Sequence, residues 1–406
     1  MPTCRFCEEK LSLMVSLGKT PLANSYLKDI KTKEAKYALD LYLCDKCFLV
    51  QLLEYEKSEN IFSEDYAYYS SYSVSWLEHC KKYAEMIIDK LQLNDDSLVV
   101  EIGSNDGYLL QYFVQKHISV LGVEPSGGVA KEAIRKGIPT DIIFFNESYG
   151  KKLSQSRQAD LIIGNNVFAH TPFLNDFVKG LKLGLKENGV ITLEFPHLLQ
   201  LILQNQFDTI YHEHFSYFSF YTVQKIFQKY GLDIFDVEEL STHGGSLRIY
   251  GKHFGNDKFP ISKSVNTLLE KEKNNGLLDV KTYYNFGKKV TKVKENLLSL
   301  LQELKRNGKR IACYGAPAKG NTLLNYCGIG QDLFNYTVDI SPYKQDKYLP
   351  GSHLPILHPK TIEKDKPDYI LILPWNLKEE IIKQLSCVKT WGGHFIVAIP
   401  EPEIIA

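Results

Sequence analysis

One short stretch combines glycines and carboxylates where an apolar run meets the start of a helix. Residues 98–110 read LVVEIGSNDGYLL, and such a loop brings backbone N–H groups close to a nucleoside ligand. Three residues separate Gly103 from Gly107, so the loop is not the GxGxxG fingerprint that cradles a dinucleotide pyrophosphate. Its carboxylates would repel a pyrophosphate and suit a sulfonium or amino group, which indicates S-adenosylmethionine rather than NAD. The loop residues predicted to bind this cofactor are Glu101, Gly103, Asn105, Asp106 and Gly107.

Four cysteines lie in two CxxC pairs near the N-terminus. CRFC spans residues 4–7 and CDKC spans residues 44–47. Four thiolates in paired knuckles suit a tetrahedral zinc ion, and a site closed by four protein ligands has a folding role rather than a chemical one. The alternatives are a redox dithiol or disulfides, which fit paired knuckles and a reducing cytosol less well. We predict structural Zn²⁺ on Cys4, Cys7, Cys44 and Cys47, and unreactive buried thiols at Cys80, Cys313, Cys327 and Cys387.

A third cluster, YHEH at residues 211–214, offers a general base, an orienting partner and hydrogen-bond donors within four residues. In an extended segment Tyr211 and Glu213 would share one face and His212 and His214 the other, a rule that a loop relaxes. The His-x-His pair could instead bind a metal, although HEH is not HExxH, or it could lie on a surface loop. The aromatic residues around the cluster favour a desolvated, catalytic setting.

Polar residues also follow two predicted strands. VLGVEPS places Glu124 at the end of a strand, 23 residues after Glu101, where a carboxylate can hydrogen-bond ribose hydroxyls. A solvated strand-end carboxylate is the alternative. The buried strand at residues 161–163 opens into Asn165, Asn166 and His170, and open α/β sheets bind ligands at the carboxyl ends of their strands. We predict that Glu124, Asn165 and Asn166 join the cofactor site.

Two glycine-rich segments beyond residue 240 are candidates for substrate binding. THGG places His243 beside two glycines, which indicates close approach to a ligand or, nearly as well, a tight turn. GAPAKGNT follows a strand and is similar to a phosphate cradle with one lysine, but it lacks the GxxxxGK[ST] spacing of a P-loop. Lys319 could equally be a solvated lysine. The predicted substrate-binding residues here are His243, Lys319, Gly320, Asn321 and Lys344.

Length and composition limit the classes of protein. At about 150 residues per domain, a chain of 406 residues indicates two or three domains. Its 48 basic and 48 acidic residues leave no net field that favours nucleic acid or an anionic membrane as a partner. No apolar run approaches the roughly 20 residues of a membrane span, and the first residues lack the apolar core of a signal peptide. We therefore expect a cytoplasmic protein.

From residue 98 onward strand and helix patterns alternate, as a parallel α/β sheet requires. We predict an α/β protein with a zinc-binding module at residues 1–58, a cofactor-binding Rossmann-like domain at residues 59–240 and a second doubly wound Rossmann-like domain at residues 241–406.

A tyrosine-rich segment follows the first module. Most of its rings are expected to pack between domains, while one or two direct a hydroxyl into a cleft. Its tyrosines are Tyr66, Tyr68, Tyr69 and Tyr72.

The cofactor half is similar to a class I S-adenosylmethionine-dependent methyltransferase. The ordered combination of two CxxC knuckles, EIGSNDG, NNVFAH, YHEH, HGGSLR and YGAPAKGNTLL resembles, over essentially the whole chain, the sugar C-methyltransferase family of deoxysugar biosynthesis. The resemblance implies methyl transfer, at C-3, to a dTDP- or GDP-linked 4-keto-6-deoxy sugar whose nucleotide the C-terminal domain holds. We expect a monomer or weak homo-oligomer without a nucleic-acid or membrane partner.

The resemblance also implies roles for the polar clusters. Carbon becomes nucleophilic after a base removes a proton beside a carbonyl, and the enolate oxygen then needs a donor. By resemblance His214 is the base, with Glu213 and Tyr211 as acid/base partner and orienting hydroxyl. His170 is a donor to the oxyanion or an alternative base, and Tyr66 and Tyr68 are assigned to catalysis and substrate binding. The alternatives are C-5 or O-methylation and a non-catalytic, zinc-organised binding protein; balanced charge disfavours tRNA modification.

Overall fold

The computed structural model describes residues 2–57 and 69–405. Its strands are β1 Ser12–Thr20, β2 Tyr37–Leu43, β3 Val50–Leu52, β4 Leu98–Ile102, β5 Ser119–Val123, β6 Thr140–Asp141, β7 Ala159–Asn165, β8 Leu185–Pro196, β9 Ser216–Tyr217, β10 Leu232–Leu240, β11 Ser246–His253, β12 Ile311–Tyr314, β13 Thr337–Val338, β14 Ile356–Leu357, β15 Tyr369–Ile372, β16 His394–Val397 and β17 Glu403–Ile405.

The α-helices are α1 Val74–Leu91, α2 Leu110–Val114, α3 Gly127–Arg135, α4 Glu147–Ser156, α5 Leu174–Gly184, α6 Leu198–Leu203, α7 Phe220–Lys229, α8 Lys263–Asn274, α9 Val280–Arg306, α10 Ala318–Cys327, α11 Lys360–Asp365 and α12 Lys378–Gln384. Short 3₁₀ helices lie at Ser70–Tyr72, Phe168–His170, Phe207–Thr209, Thr242–Gly244, Trp375–Leu377 and Ser386–Trp391. No helix of these described ranges is long and apolar enough to cross a membrane.

The central sheet has seven strands in the order β10-β11-β8-β7-β4-β5-β6. The five strands from β8 to β6 run parallel, whereas β11 is antiparallel to both β8 and β10. All five residues of β4, LVVEI, are buried, which is typical of a parallel strand covered by helices on both faces. The predicted Rossmann-like domain is confirmed. Strand β11 lies beyond residue 240, so this sheet extends across the domain boundary predicted from the sequence.

The C-terminal sheet has the order β14-β13-β12-β15-β16-β17, with β17 antiparallel to β16 and the other pairs parallel. This confirms a second doubly wound domain. The long helix α9 precedes it and buries one face, with Tyr283, Phe286, Val290 and Leu297 at helical spacing. The same hydrophobic core includes residues of β1, β2, β12 and α10, so the N-terminal sheet packs against α9 and the C-terminal domain.

The N-terminal sheet has the order β1-β2-β3-β9, with every pair antiparallel. Its fourth strand, Ser216–Tyr217, comes from the middle of the chain and pairs with Val50 and Gln51. The zinc-binding module is therefore joined to the central domain by a shared sheet. Because β9 begins two residues after His214, this pairing also fixes one end of the YHEH segment.

Candidate functional site

A cavity of about 500 Å³ lies at the carboxyl ends of β4, β5 and β7. This is the edge at which open α/β sheets bind ligands. The central domain forms most of its wall, and the C-terminal domain closes one side with Ala318, Lys319 and Lys344. Asn24 of the N-terminal module also lines it. All three parts of the chain therefore meet at one site.

The glycine loop bends away from β4 as the sequence predicts. Gly103 has φ +67°, and a Cβ there would lie 3.2 Å from the side chain of Val167. Asn105 also adopts positive φ, and it lines the cavity together with Gly103. Asp106 instead pairs with Lys136 at 3.2 Å, outside the cavity wall. The structure therefore brings Gly103 and Asn105 to the cavity and places Asp106 behind it.

Glu124 is held by backbone N–H groups on both oxygens. Asn105 N donates to Oε2 at 3.0 Å and Ser126 N donates to Oε1 at 2.8 Å. Burial raises the pKa of this carboxyl, and the two N–H donors act in the opposite direction. A carboxylate fixed in this way at the cavity wall is suited to accept hydrogen bonds from ribose hydroxyls.

Glu101 and Gly107 pack behind the glycine loop, away from the cavity. Glu101 is fully buried, and burial raises its pKa well above the ordinary value while the Tyr108 hydroxyl beside it acts in the opposite direction. Gly107 has φ +78°, and a Cβ there would lie 2.3 Å from Ile138 Cδ1. Neither residue lines the cavity, although Tyr108 does. Their position indicates a role in shaping the loop.

The unsatisfied side-chain amide of Asn165 is the feature that best supports a cofactor site here. It is 6% exposed and lines the cavity, yet neither its oxygen nor its nitrogen has a hydrogen-bond partner among the described residues. A buried amide of this kind costs free energy unless a ligand satisfies it. Asn166, with φ +55°, instead lies 3.2 Å from Nε2 of His243 through its Nδ2.

His214 lies in a turn with hydrogen bonds on both ring nitrogens. Its Nδ1 is 3.0 Å from the carbonyl oxygen of Thr209, so this nitrogen carries the hydrogen. Its Nε2 is then an acceptor, to which the Tyr211 hydroxyl donates at 2.8 Å. Burial, followed by the nearby His170, holds the pKa of His214 well below its usual value. The imidazole is therefore neutral and has the lone pair that a base requires.

His170 lies beside this pair, at the end of the 3₁₀ helix after β7. Its ring is 4.8 Å from that of His214, and its Nδ1 donates to the Glu213 carbonyl oxygen at 2.8 Å. Burial lowers its pKa to about 4. With the hydrogen on Nδ1, Nε2 of the neutral ring is an acceptor, which favours the predicted role of alternative base over that of oxyanion donor.

The carboxylate of Glu213 is hydrogen-bonded by Asn24, a residue that the sequence did not indicate. Asn24 Nδ2 lies 2.7 Å from Oε1 and 2.9 Å from Oε2. Burial raises the pKa of Glu213 to about 7, while the Asn24 amide acts in the opposite direction. The two residues are 189 positions apart, so no local pattern could have paired them.

His212 points away from the site. Its Nε2 lies 3.1 Å from the Ala38 carbonyl oxygen, and its ring packs edge-on against Tyr37 and Tyr55. Tyr211, Glu213 and His214 all line the cavity instead. Strict alternation along an extended segment therefore does not hold here, because the chain turns: His214 N donates to the Tyr211 carbonyl at 2.9 Å.

Two lysines of the C-terminal domain face the cavity. Lys319 donates to Asn376 Oδ1 at 2.8 Å and lies 4.7 Å from the centre of the Trp375 ring. Burial lowers its pKa, and the charge of Asp208 acts in the opposite direction. Lys344 donates to the Ala316 carbonyl at 2.9 Å. Lys319 is thus a half-buried residue of the cavity wall rather than a solvated lysine.

Gly320 and Asn321, predicted to extend the phosphate cradle, lie outside the cavity wall. A Cβ on Gly320 would lie 2.9 Å from Leu373 Cβ, so this glycine permits close packing of α10. Asn321 is buried and donates through Nδ2 to the Ala23 carbonyl oxygen at 2.6 Å. Both residues position α10, and Asn321 also fixes the segment that carries Asn24.

His243 lines the cavity, beside Asn166. It adopts φ +56°, and its ring lies 5.4 Å from that of Trp76. Burial lowers its pKa to about 4. Trp76, which is not among the site residues predicted from the sequence, also lines the cavity. Tyr66 and Tyr68 lie outside the described residues.

The four N-terminal cysteines form one cluster. Their sulfur atoms all lie within 4.8 Å of one another, with 3.6 Å between Cys4 and Cys47 and 3.4 Å between Cys7 and Cys44. Sulfur atoms about 2.3 Å from a common zinc ion in tetrahedral geometry are separated by similar distances. Gln51 Nε2 donates to Cys4 Sγ at 3.3 Å, as expected for a thiolate ligand. The donor set therefore fits structural zinc.

Comparisons with known families assign the same three parts. Residues 4–62 match the model "Putative zinc binding domain", residues 76–237 match a methyltransferase domain, and residues 241–400 match the C-methyltransferase C-terminal domain. With the seven-stranded sheet and the cysteine cluster, they define a zinc-containing, S-adenosylmethionine-dependent methyltransferase.

A curated relative narrows this class. C-methyltransferase NovU from Streptomyces niveus is 35% identical over 407 residues, covering 99% of this chain and 96% of NovU. The chain therefore belongs to the C-methyltransferase family, and S-adenosylmethionine is its methyl donor.

Solved structures give only remote likenesses. The magnesium protoporphyrin IX methyltransferase of Synechocystis, with bound SAH, has 16% identity and a TM-score of 0.34 and covers 43% of this chain and 81% of its own. PH0226 protein of Pyrococcus horikoshii has 12% identity and a TM-score of 0.36, covering 46% and 94%. Scores this low add nothing to the assignment.

Proposed function

We propose that the protein methylates C-3 of an NDP-linked 4-keto-6-deoxy sugar through a base-generated enolate. One observation carries the proposal: the neutral His214, bonded to Tyr211, lines the same cavity as the cofactor residues Asn105, Glu124 and Asn165. Carbon methylation requires a base beside the methyl-donor site, and a neutral imidazole whose basic nitrogen is hydrogen-bonded by a tyrosine hydroxyl can take up a proton directly or through that hydroxyl. Methylation of a hydroxyl group depends less on such a base.

The protein's residues first have to make carbon nucleophilic. A proton leaves C-3, beside the C-4 carbonyl, for Nε2 of His214, either directly or through the Tyr211 hydroxyl that bonds it. The electron pair of the broken C–H bond passes into the enolate, with negative charge on the C-4 oxygen. Thr209 accepts the hydrogen bond from Nδ1 and so keeps the lone pair on Nε2. When bound, S-adenosylmethionine supplies the electrophilic methyl group.

The enolate oxygen requires a donor, and the cavity offers one in Lys319. Its ammonium group lies over the Trp375 ring and is hydrogen-bonded to Asn376, so its position is fixed before the substrate binds. His170 and His214 carry their hydrogens on Nδ1, directed at backbone carbonyls, and are less suited to this role. Glu213, with its pKa raised to about 7, can accept the proton that His214 releases.

The substrate class rests on the charge of the cavity wall and on the family resemblance. Lys319 and Lys344 provide two cationic groups on the C-terminal side, which complement a nucleoside diphosphate. A keto sugar linked to dTDP or GDP places its diphosphate at such a wall while its ring reaches His214. The identity of the nucleotide, dTDP or GDP, stays a prediction.

One experiment tests the reaction directly. The protein is incubated with S-adenosylmethionine and a panel of nucleotide-linked 4-keto-6-deoxy sugars, and the mass and NMR spectrum of each product show the methylated position. A second reaction in D₂O omits the methyl donor. We expect deuterium exchange at C-3 and a C-3 methyl product. An O-methyl or C-5 methyl product, or exchange confined to C-5, would overturn the proposal.

A further inference from the structure

The segment that follows β1 reaches the active site. We call residues 21–27 the arm. Asn24 lies near its middle, and its Nδ2 donates to both carboxylate oxygens of Glu213, at 2.7 and 2.9 Å. Among residues 2–57 and 69–405, Asn24 is the one side chain that hydrogen-bonds this carboxylate. The N-terminal module thus contacts a group beside the proposed base.

The arm is fixed to the C-terminal domain at three points. The Ala23 carbonyl accepts from Asn321 Nδ2 at 2.6 Å, and the Tyr26 hydroxyl donates to the Ala316 carbonyl at 2.6 Å. Leu27 and Tyr348 exchange two backbone hydrogen bonds of 3.0 and 2.8 Å. Because these contacts flank Asn24 on both sides, its amide has a fixed direction before substrate binds.

The N-terminal module also fixes the other end of the YHEH segment. Strand β9 begins two residues after His214 and pairs with Val50 and Gln51 of β3. Glu213 is therefore located between two contacts with the same module, the amide of Asn24 and the β3–β9 pairing. A shift of the module relative to the central domain would move Glu213 and its neighbour His214 together.

We infer that Asn24 is a positioning residue for catalysis, which holds the Glu213 carboxylate ionised and correctly oriented beside His214. The zinc-binding module then has two functions, one in folding through its cysteines and one at the active site through the arm. The inference rests on the proposed function in one respect, namely that methyl transfer requires Glu213 in its ionised form.

The groups around Glu213 determine the direction in which its pKa changes when the Asn24 amide is removed. Burial raises its pKa to about 7, and the Asn24 amide is what opposes this increase. Other titratable groups that line the cavity around it are His170 and His214 from the central domain and Lys319 and Lys344 from the C-terminal domain. Tyr26 lies within electrostatic range on the arm itself. Loss of the amide removes the donor while the burial remains, so the pKa of Glu213 must increase further.

The test uses the full chain with its zinc site intact. Asn24→Ala removes the amide, Asn24→Asp replaces it with a like charge, and Ser25→Ala changes the exposed neighbour on the arm as a matched control. The titration of Glu213 is followed by its carboxyl infrared band, assigned by difference against Glu213→Gln. This measurement needs no acceptor, so it remains informative if the proposed substrate is wrong. The pH profile of kcat/KM is then measured for each active variant.

We expect the Glu213 titration and the acid limb of kcat/KM to move upward by about one pH unit in Asn24→Ala and further in Asn24→Asp. Ser25→Ala should match the wild type in both. Zinc content and Tm identify any variant that misfolds, in which case Asn24→Ser replaces it. An unchanged Glu213 titration in a folded, zinc-loaded Asn24 variant overturns the inference, as does a loss of rate that is equal at all pH values. Failure of the wild type to methylate keto sugars overturns the proposed function alone.

Discussion

The hydroxyl of Tyr211 donates to Nε2 of His214 at 2.8 Å, while Nδ1 of the same ring is 3.0 Å from the Thr209 carbonyl. The ring is therefore held in one tautomer and one orientation by two groups from its own turn. A tyrosine in this position can carry a proton between a substrate carbon and the imidazole or simply direct the imidazole at it. In both cases the position of Nε2 is fixed before the acceptor binds.

His214→Asn and Glu213→Gln should each lower kcat/KM for methyl transfer by about 100-fold or more, because general-base catalysis contributes about 10²–10⁴-fold. The affinity for S-adenosylmethionine, measured by calorimetry, should change little, since neither side chain touches the cofactor loop. His212→Asn is the matched control, because that ring faces Ala38. Equal loss of cofactor binding in His214→Asn would contradict the catalytic assignment.

Glu124→Ala should raise the Kd for S-adenosylmethionine about tenfold or more, because a carboxylate fixed by two backbone N–H groups would no longer accept from the ribose. The KM for the acceptor should stay near the wild-type value. Isothermal titration with S-adenosylhomocysteine measures the first quantity and initial rates the second. Asp96→Ala, at an exposed aspartate, is the control. An unaltered Kd would remove Glu124 from the cofactor site.

Lys319→Met should raise the KM for the nucleotide sugar by about tenfold, because the ammonium group at the cavity wall contributes charge-assisted hydrogen bonds to the diphosphate or the enolate oxygen. Measuring kcat separates the two roles, since loss of an enolate donor lowers kcat as well. Lys360→Met, at an exposed lysine, controls for the change in net charge. If Lys319→Met behaves like Lys360→Met, the C-terminal wall does not recognise the substrate through this residue.

Cys44→Ser should reduce the zinc content to background and lower Tm by about 10 °C or more, because structural zinc contributes folding free energy directly. Elemental analysis and calorimetry give the two quantities. Cys387→Ser, outside the cluster and half-buried, should retain both. Full zinc loading in Cys44→Ser would show that the four sulfur atoms are not the ligand set.

His170 and His243 should each make the folded state less stable as pH falls from 6.5 towards 4. The pKa values of His170 and His243 are lowered from 6.5 to about 4 by burial, so in that window the unfolded chain binds protons that the folded chain does not. Each histidine then contributes a loss on the order of 1 kcal/mol. Carboxyl groups whose pKa is raised by burial, such as Glu213 (about 7) and Asp208 (about 6), have the opposite sign, because their contribution to stability is lost as pH rises towards those values.

Thermal unfolding without ligands at pH 7 and pH 5 measures the net effect. His243→Gln, which cannot take up a proton, should show a smaller decrease in Tm between these two pH values than the wild type. A His243→Gln variant whose Tm falls as much as that of the wild type would contradict the contribution assigned to His243.

Much of the cofactor site follows from local sequence. Gly103 occupies a backbone conformation that other residues rarely adopt, and Glu124 ends a strand beside it, so their spacing already indicates the ligand. Asn24 carries no such signal, because its partner Glu213 is brought to it only when the N-terminal sheet packs against the other domains. The difference between His212 and His214 likewise depends on a turn that the alternation rule cannot describe. Local patterns report on backbone conformation, whereas these contacts arise from tertiary packing.

Strand β11 has a further consequence for how the chain can be divided. The methyltransferase domain match ends at residue 237, and the C-terminal match begins at 241, yet β11 at Ser246–His253 lies between β8 and β10 in one sheet. A fragment cut at this junction would expose the backbone hydrogen-bonding groups of β8 along an apolar edge, and such edges aggregate. The two matched regions are adjacent in sequence but share one sheet. A stable truncated enzyme would therefore have to retain the β10–β11 hairpin.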